Sequence, residues 1–256
     1  MTGKILQERR LKPPRRAPAT EVMVLLPGAA PGATIRADRS ARQIGGLYAV
    51  TPDIADTAQL LAKLGAALDG GCRLVQYRNK AAGAALRLEQ AAAVRSLTRR
   101  FGARLIINDH LSLALQVGAD GVHLGRDDAD HQGICEARIA ARDHAGFMIG
   151  VSCYNQLPLA ERAVQAGADY IAFGSMFTSG TKPQAVAAAP SLLSLAKSRF
   201  NLPIVAIGGI SPQNARIVIE SGADAVAVIS SLFDAGTLPQ IRAQSRLFTS
   251  YFSCHV

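Results

Sequence analysis

From about Ile44 onward, short runs of β-type residues alternate eight times with alanine- and leucine-rich stretches of helical period. The runs are IGGLYAV (Ile44 to Val50), CRLVQY (Cys72 to Tyr77), ARLII (Ala103 to Ile107), GVHL (Gly121 to Leu124), FMIGV (Phe147 to Val151), YIAFG (Tyr170 to Gly174), PIVAIG (Pro203 to Gly208) and AVAVI (Ala225 to Ile229). Between them, segments such as TAQLLAKLGAALDG and AALRLEQAAAVRSLTRR place apolar residues three and four positions apart, as an amphipathic helix requires. Three related stretches, VGADGVHLG, AGADYIAFG and SGADAVAVI, each lead from a helix end into a strand. Glycine suits the left-handed position that closes a helix, alanine fits the tight turn, and the next residues suit a buried parallel strand. Eight βα units in about 210 residues predict an α/β protein with the TIM (β/α)8 barrel fold. The competing doubly wound open sheet would show GxGxxG after the first strand, and the sequence has none there.

At 256 residues, 49% of them apolar, the chain can bury a sizeable core, and length alone suits one large domain or two small ones. No run approaches the roughly 18 uninterrupted apolar residues of a membrane span. Cys72, Cys135, Cys153 and Cys254 form neither a CxxC pair nor a Cys/His cluster, which argues against structural zinc and a disulfide framework and suits a reducing cytoplasm. The net charge of +9 is unevenly spread: residues 1–42 hold nine basic groups against three acidic ones. That leader contains PPRRAPAT and PGAAPGAT, whose composition predicts a flexible basic extension over residues 1–43, ahead of a barrel domain over 44–256. A targeting segment fits less well, because Glu8 and the prolines do not suit an amphipathic presequence. A nucleic-acid tether fits less again, since no aromatics interleave the charges.

In such a barrel the residues just after each strand gather at one rim, where chemistry is found. The second strand ends in QYRNK, so Gln76, Arg78 and Lys80 share a direction where extended geometry persists. Two cations beside an amide suit a phosphate and a hydrogen-bonding ring; a solvated charged turn is the plainer reading of the same residues. The third strand ends in Asn108-Asp109, and the fourth is followed by Gly125, Arg126, Asp127 and Asp128. One helix and one strand separate Asp109 from Asp128, which returns both to the same rim on neighbouring units. Facing carboxylates repel unless a hard divalent cation lies between them, and Mg²⁺ suits few carboxylates when phosphate oxygens complete its shell. A proton-sharing pair and two helix N-caps stay open as readings, and Asp127 competes with Asp128. Asp120, at the other end of its strand, is expected to be structural.

Ser152 follows the fifth strand, and after the sixth Thr178, Ser179, Thr181 and Lys182 surround Gly180, offering an anion hydroxyls, N–H groups and one ammonium. Gly208 and Gly209 close the seventh strand and let a backbone approach a ligand closely. Ile229, Ser230 and Ser231 begin a short helix after the eighth. Loops after strands seven and eight, with a helix N-terminus, form the recurrent phosphate site of TIM barrels.

Taken in order, LYAVT, VQYRNK, IINDH, GADGVHLGRDD, IGVS, GADYIAFG, SGTKP, PIVAIGGI and AVAVIS resemble the motifs of thiamine phosphate synthases over about Gly46 to Phe233. The resemblance implies a transferase of thiamine biosynthesis. It would join 4-amino-2-methyl-5-(diphosphooxymethyl)pyrimidine to a thiazole phosphate, giving thiamine phosphate and diphosphate. It also implies Mg²⁺ as cofactor, held by Asp109 and Asp128. Gln76, Arg78, Asn79, Lys80, Asn108, Ser152 and Lys182 would hold the pyrimidine diphosphate, with Arg78, Lys80, Ser152 and Lys182 acting in catalysis. Ser179, Gly180, Thr181, Gly209, Ile229 and Ser230 would receive the thiazole phosphate. The implied route is dissociative: C–O cleavage leaves a pyrimidine-methyl cation that the thiazole nitrogen captures, so no protein nucleophile is required. The implied partners are these small molecules, in the cytoplasm, with no nucleic acid and no membrane; a homo-oligomer is compatible with the family.

The family's hydroxyl loop more often carries threonine at position 179 and proline at 178 and 180, and an acid is usual where Asn79 stands. Two rivals share the fold: a thiazole tautomerase acting on the thiazole phosphate alone, and a silent thiamine- or thiazole-phosphate binder. Asp109, Asp128 and QYRNK together favour the synthase. His123 lies within a strand, where a histidine satisfied by barrel neighbours is the expected reading and a proton shuttle the rival. His110 follows the candidate metal ligand and lines the rim, whereas His131, His144 and His255 have no recognisable partners in the sequence.

Overall fold

The computed structural model describes residues 44–125, 131–178 and 188–253. Eight strands, β1 (Gly46–Val50), β2 (Leu74–Tyr77), β3 (Arg104–Asn108), β4 (Gly121–Leu124), β5 (Met148–Tyr154), β6 (Tyr170–Phe173), β7 (Ile204–Ile207) and β8 (Ala225–Val228), pair in parallel with their sequence neighbours. β1 also pairs with β8, through Gly46 to Ala225 and Tyr48 to Ala227, so the sheet closes. This is the α/β TIM barrel that the alternation predicts.

Helices follow the strands in turn: α1 (Thr57–Asp69), α2 (Ala84–Arg100), α3 (Leu111–Gln116), α4 (His131–Ala140), α5 (Leu157–Gln165), α6 (Ser191–Arg199), α7 (Ala215–Glu220) and α8 (Ser230–Phe233), with α9 (Leu238–Ser250) last. Local chemistry sets their starts. Asp56 accepts a hydrogen bond from Gln59 N–H at the head of α1, and Thr237 with Gln240 forms a reciprocal capping box at the head of α9. Where α1 ends, a Cβ on Gly70 would come within 2.5 Å of the Arg242 carbonyl and Ser245, so glycine there lets α9 lie against α1. Among the described residues no helix is long and apolar enough to cross a membrane.

The three GAD repeats do one mechanical job. Gly118, Gly167 and Gly222 all have positive φ (63°, 95° and 108°), turning the chain into β4, β6 and β8. Each following aspartate then ties its strand to the one before. Asp120 accepts from Leu105 N–H (2.7 Å), Asp169 from Ile149 N–H (2.8 Å) and Asp224 from Ile204 N–H (2.8 Å). Each carboxylate also meets a cation from a helix, respectively Arg95, Arg138 and Lys197, at 2.6 Å. Asp120 is thus structural, as its position at the N-terminal end of β4 implies.

Two apolar layers result. One lies between strands and helices and includes Leu64, Val75, Val94, Ile107, Ile149, Phe173 and Phe233. The other fills the barrel interior with Leu74, Ile106, Met148 and Val205 below Tyr48 and Tyr170. Two strands run further than expected. β3 includes Asn108, and β5 continues through Ser152 to Tyr154, with a register shift against β6 between Ser152 and Tyr154. Ser152 therefore does not follow a strand, as the sequence suggests; it lies within one.

Candidate active site

The turn after β2 is held from the β1 side. Thr51, fully buried, accepts a hydrogen bond from Arg78 N–H and donates one to Arg78 C=O, both 2.8 Å. Asp53 pairs with the Arg78 guanidinium at 3.1 Å and accepts from Lys80 N–H at 2.9 Å. β2 itself ends at Tyr77, so contacts from the neighbouring unit, and not a continued strand, hold Arg78 and Lys80 beyond Gln76. Asn79 turns inward: its amide donates to Ile54 C=O and to Gln90 Oε1, both 2.9 Å, and its own oxygen accepts from Ala82 N–H. Tyr77 also donates to Gln90 Oε1, so the buried polar atoms under the turn satisfy one another.

Asp109 follows β3 with φ of 61°, a left-handed conformation that short polar residues tolerate better than most. Its Oδ1 accepts from Gly125 N–H (3.1 Å), its Oδ2 accepts from Asn108 Nδ2 (2.6 Å), and Lys80 Nζ stands 3.9 Å away. A Cβ on Gly125 would come within 2.9 Å of Asp109 Oδ1, so glycine at the end of β4 makes room for the carboxylate. Arg78, Lys80, Asn108, Asp109 and His110 line one hollow, with Arg87 of α2 as a further cation. Among the described residues no three His, Cys, Asp or Glu side chains group together. Asp128, the partner expected for Asp109, lies outside the described residues, as do Ser179, Gly180, Thr181 and Lys182.

The mouth of the barrel is polar and continuously hydrogen-bonded. Gln76 Nε2 donates to the Tyr48 hydroxyl (3.0 Å), which meets the Tyr170 hydroxyl (2.9 Å). Tyr170 reaches His123 Nδ1 (3.1 Å), and His123 Nε2 reaches Ser152 Oγ (2.9 Å). Register explains how residues on separate strands meet. His123, Gly150 and Tyr170 lie side by side on β4, β5 and β6. A Cβ on Gly150 would sit 1.9 Å from the Tyr170 ring, so its absence lets Tyr170 cross β5 and stack on His123, ring centroids 5.6 Å apart. Burial, opposed by the charge of Asp109, pushes the His123 pKa down to about 4, so the imidazole is neutral. His123 has a partner on each ring nitrogen, which agrees with its reading as a satisfied barrel histidine.

On the far side, Gly208 and Gly209 have positive φ (105° and 63°), and the chain itself comes close to both. Added Cβ atoms would strike Ser175 at 2.8 Å from Gly208 and the Thr178 carbonyl at 2.6 Å from Gly209. The segment after β6 folds back here, with Met176 N–H on Ile207 C=O and Phe177 N–H on Gly208 C=O. Ile229 is half-buried against the interior layer, and Ser230 is exposed as the first residue of α8.

Thr51, Asp53, Tyr48 and Tyr170 are the site residues that a reading of strand ends passes over. Their signal is present: a hydroxyl and an acid two apart directly after β1, and tyrosines at inward strand positions where aliphatic residues are the norm.

Comparison with known proteins identifies the family to which this barrel belongs. The family model described as thiamine monophosphate synthase matches residues 47–232. The thiamine-phosphate synthase of Nitrosospira multiformis is 49% identical over 82% of this chain and 87% of its own. That of Thiobacillus denitrificans is 51% identical over 80% of this chain and 96% of its own. Among solved structures, a thiamine phosphate pyrophosphorylase from Pyrococcus furiosus superposes with a TM-score of 0.69 at 32% identity, covering 81% of this chain and 95% of that one. Fold, motif order and sequence identity agree over the whole barrel, and the chain belongs to the thiamine monophosphate synthase family of transferases.

Proposed function

We propose that this chain joins 4-amino-2-methyl-5-(diphosphooxymethyl)pyrimidine to a thiazole phosphate, forming thiamine phosphate and releasing diphosphate. The observation that carries the reading is the meeting of two cations and a carboxylate beyond β2 and β3: Arg78, Lys80 and Asp109 line one hollow, with Lys80 Nζ 3.9 Å from Asp109. A diphosphate leaving group gathers negative charge as its C–O bond breaks, and positive groups already in place lower that barrier. Arg78 and Lys80 are the groups we assign to it, together with Lys182 from the sixth loop.

Asp109, with Asn108 beside it and Asp128 from the next unit, is the donor set we assign to Mg²⁺. The chemistry fits, because each Asp109 oxygen accepts one hydrogen bond, from Gly125 N–H or from Asn108 Nδ2, and so keeps lone-pair capacity for a hard cation. When bound, the ion would supply further positive charge to the diphosphate oxygens. In the dissociative route the C–O electron pair leaves with diphosphate, the aminopyrimidine ring stabilises the remaining methylene cation, and the thiazole nitrogen's lone pair forms the C–N bond. Gln76 and Ser152 are assigned to the pyrimidine ring. Ser179, Gly180, Thr181, Gly209, Ile229 and Ser230 are assigned to the thiazole phosphate. The Asn79 side chain is committed within the protein, so its assigned part is to brace the turn that carries Arg78 and Lys80. Buried free thiols at Cys72 and Cys153 favour a reducing cytoplasm.

The test is formation of thiamine phosphate by the purified full chain from both substrates, with Mg²⁺ or with EDTA. Product is expected only with Mg²⁺, and none at saturating substrate and metal would overturn the reading. Asp109→Asn should lower kcat about 100-fold or more while thiazole-phosphate affinity stays within about threefold. Equal loss of both would mark the substitution as general structural damage.

A further inference from the structure

The hydrogen-bond chain in the barrel mouth ends at Gln76 and Ser152, but its middle, Tyr48, Tyr170 and His123, has no role in the reading above. Tyr48 and Tyr170 are 1% and 0% exposed, so each hydroxyl hydrogen must be spent on a neighbour within the chain. That requirement propagates. Gln76 Nε2 donates to Tyr48, so the Tyr48 hydrogen goes to Tyr170, and the Tyr170 hydrogen goes to His123 Nδ1. His123 then carries its proton on Nε2 and donates to Ser152 Oγ, which leaves the Ser152 hydrogen for the mouth. Turning the Gln76 amide over would reverse the whole chain, with Tyr48 donating to Gln76, Tyr170 to Tyr48, His123 Nδ1 to Tyr170 and Ser152 to His123 Nε2, so the orientation of this one amide sets the polarity of the rest. With Nε2 on Tyr48, the Gln76 carbonyl, which has no partner among the described residues, is the group left for a ligand.

We propose that Tyr48, Tyr170 and His123 are positioning residues that fix the hydrogen-bond polarity of the site. Gln76 is locked as an acceptor and Ser152 as a donor, so the site prefers a heteroaromatic ring bearing an amino group over the same ring bearing an oxo group. The proposal rests on the assignment of Gln76 and Ser152 to the pyrimidine. An amine donates to the Gln76 carbonyl, whereas an oxo group sets two acceptors face to face, a mismatch that a buried site penalises heavily.

Calorimetric binding of the aminopyrimidine diphosphate and of its 4-oxo counterpart tests this in the wild type, in Tyr170→Phe and in the double variant Tyr48→Phe/Tyr170→Phe. The Tyr170 hydroxyl hydrogen-bonds to Tyr48 and His123 and to neither Gln76 nor Ser152, and the double variant removes both members of the tyrosine pair if the single one fails to fold. The wild type is expected to prefer the amino compound by about 100-fold, and the variants should lose at least about tenfold of that preference with thiazole-phosphate affinity unchanged. A structural role alone would weaken both pyrimidines equally, so folded variants that keep the wild-type ratio overturn the proposal. Nitrogen chemical shifts of His123 in the wild type give an independent measure: a proton on Nε2 is expected, and one on Nδ1 would overturn it. A wild type that binds neither pyrimidine overturns the functional reading instead, and the nitrogen shifts still decide the polarity.

Discussion

The carboxylate of Asp53 spends one oxygen on two neighbours of the adjoining unit, the Arg78 guanidinium at 3.1 Å and the Lys80 backbone N–H at 2.9 Å. Neither contact is buried: the Asp53 and Arg78 side chains are 38% and 28% exposed. Exposed ion pairs contribute roughly 0–1 kcal/mol to stability, so what this one supplies is aim. A guanidinium held in one rotamer meets a diphosphate without first paying the entropy of being ordered. Asp53→Ala should accordingly raise KM for the pyrimidine diphosphate about tenfold, change kcat less, and leave the melting temperature within about 2 °C. Steady-state kinetics and a thermal melt of the same preparation check it. An unchanged KM would mean that Thr51, which clamps the Arg78 backbone from both sides, suffices alone.

At the scale of elements, the periodicities that sequence reading detects are the ones the barrel enforces. β4 spans the GVHL run and α2 spans AALRLEQAAAVRSLTRR, because two-sided burial keeps a strand apolar apart from its hydrogen-bonded His123, and one-sided burial gives a helix its stripe. What escaped was anything set by the neighbouring strand. Ser152 looks like a loop residue because IGVS turns polar there, yet β5 continues through it on pairing with β6, and a strand's end is decided by its partner as much as by its own residues. The double glycine of AIGGI advertises a close approach without saying by what. The answer, the chain's own segment around Phe177 and Thr178, is a tertiary fact. The GAD repeat was legible as a turn, but its aspartate acts across strands. Asp169 accepts from Ile149 N–H and pairs with Arg138 on the face away from the proposed site. Removing it leaves a strand N–H without its charged acceptor, so Asp169→Ala should cost about 2–3 kcal/mol of unfolding free energy while kcat stays within about twofold. Urea unfolding and the two-substrate assay measure the two quantities. A large loss of kcat in a well-folded variant would tie the lower face to the chemistry.

Across the whole molecule, polar work is divided between the two ends of the barrel. One end carries the Asp120, Asp169 and Asp224 locks, each a carboxylate satisfied by a backbone N–H and a cation. The other carries Arg78, Lys80 and Asp109, which line one hollow and to which the proposed function assigns the diphosphate and its metal. Between them the layer joining strands to helices is sealed, and its two buried thiols offer a direct gauge of that seal. Cys72 and Cys153 belong to this layer at 1% and 0% exposure, and burial pushes their thiols up to about 11 and about 12. At pH 8 both are protonated and beyond the reach of a bulky disulfide reagent, since the thiolate is the attacking species. Labelling with Ellman's reagent, read by peptide mass spectrometry, should therefore leave both cysteines unmodified in the native protein and modify both once urea unfolds it. Because the layer is continuous around the barrel, the two should become reactive over the same urea range, coincident with loss of the circular dichroism signal. If Cys153 reacted well before Cys72, β5 would open independently of β2, and the barrel would not unfold as one unit.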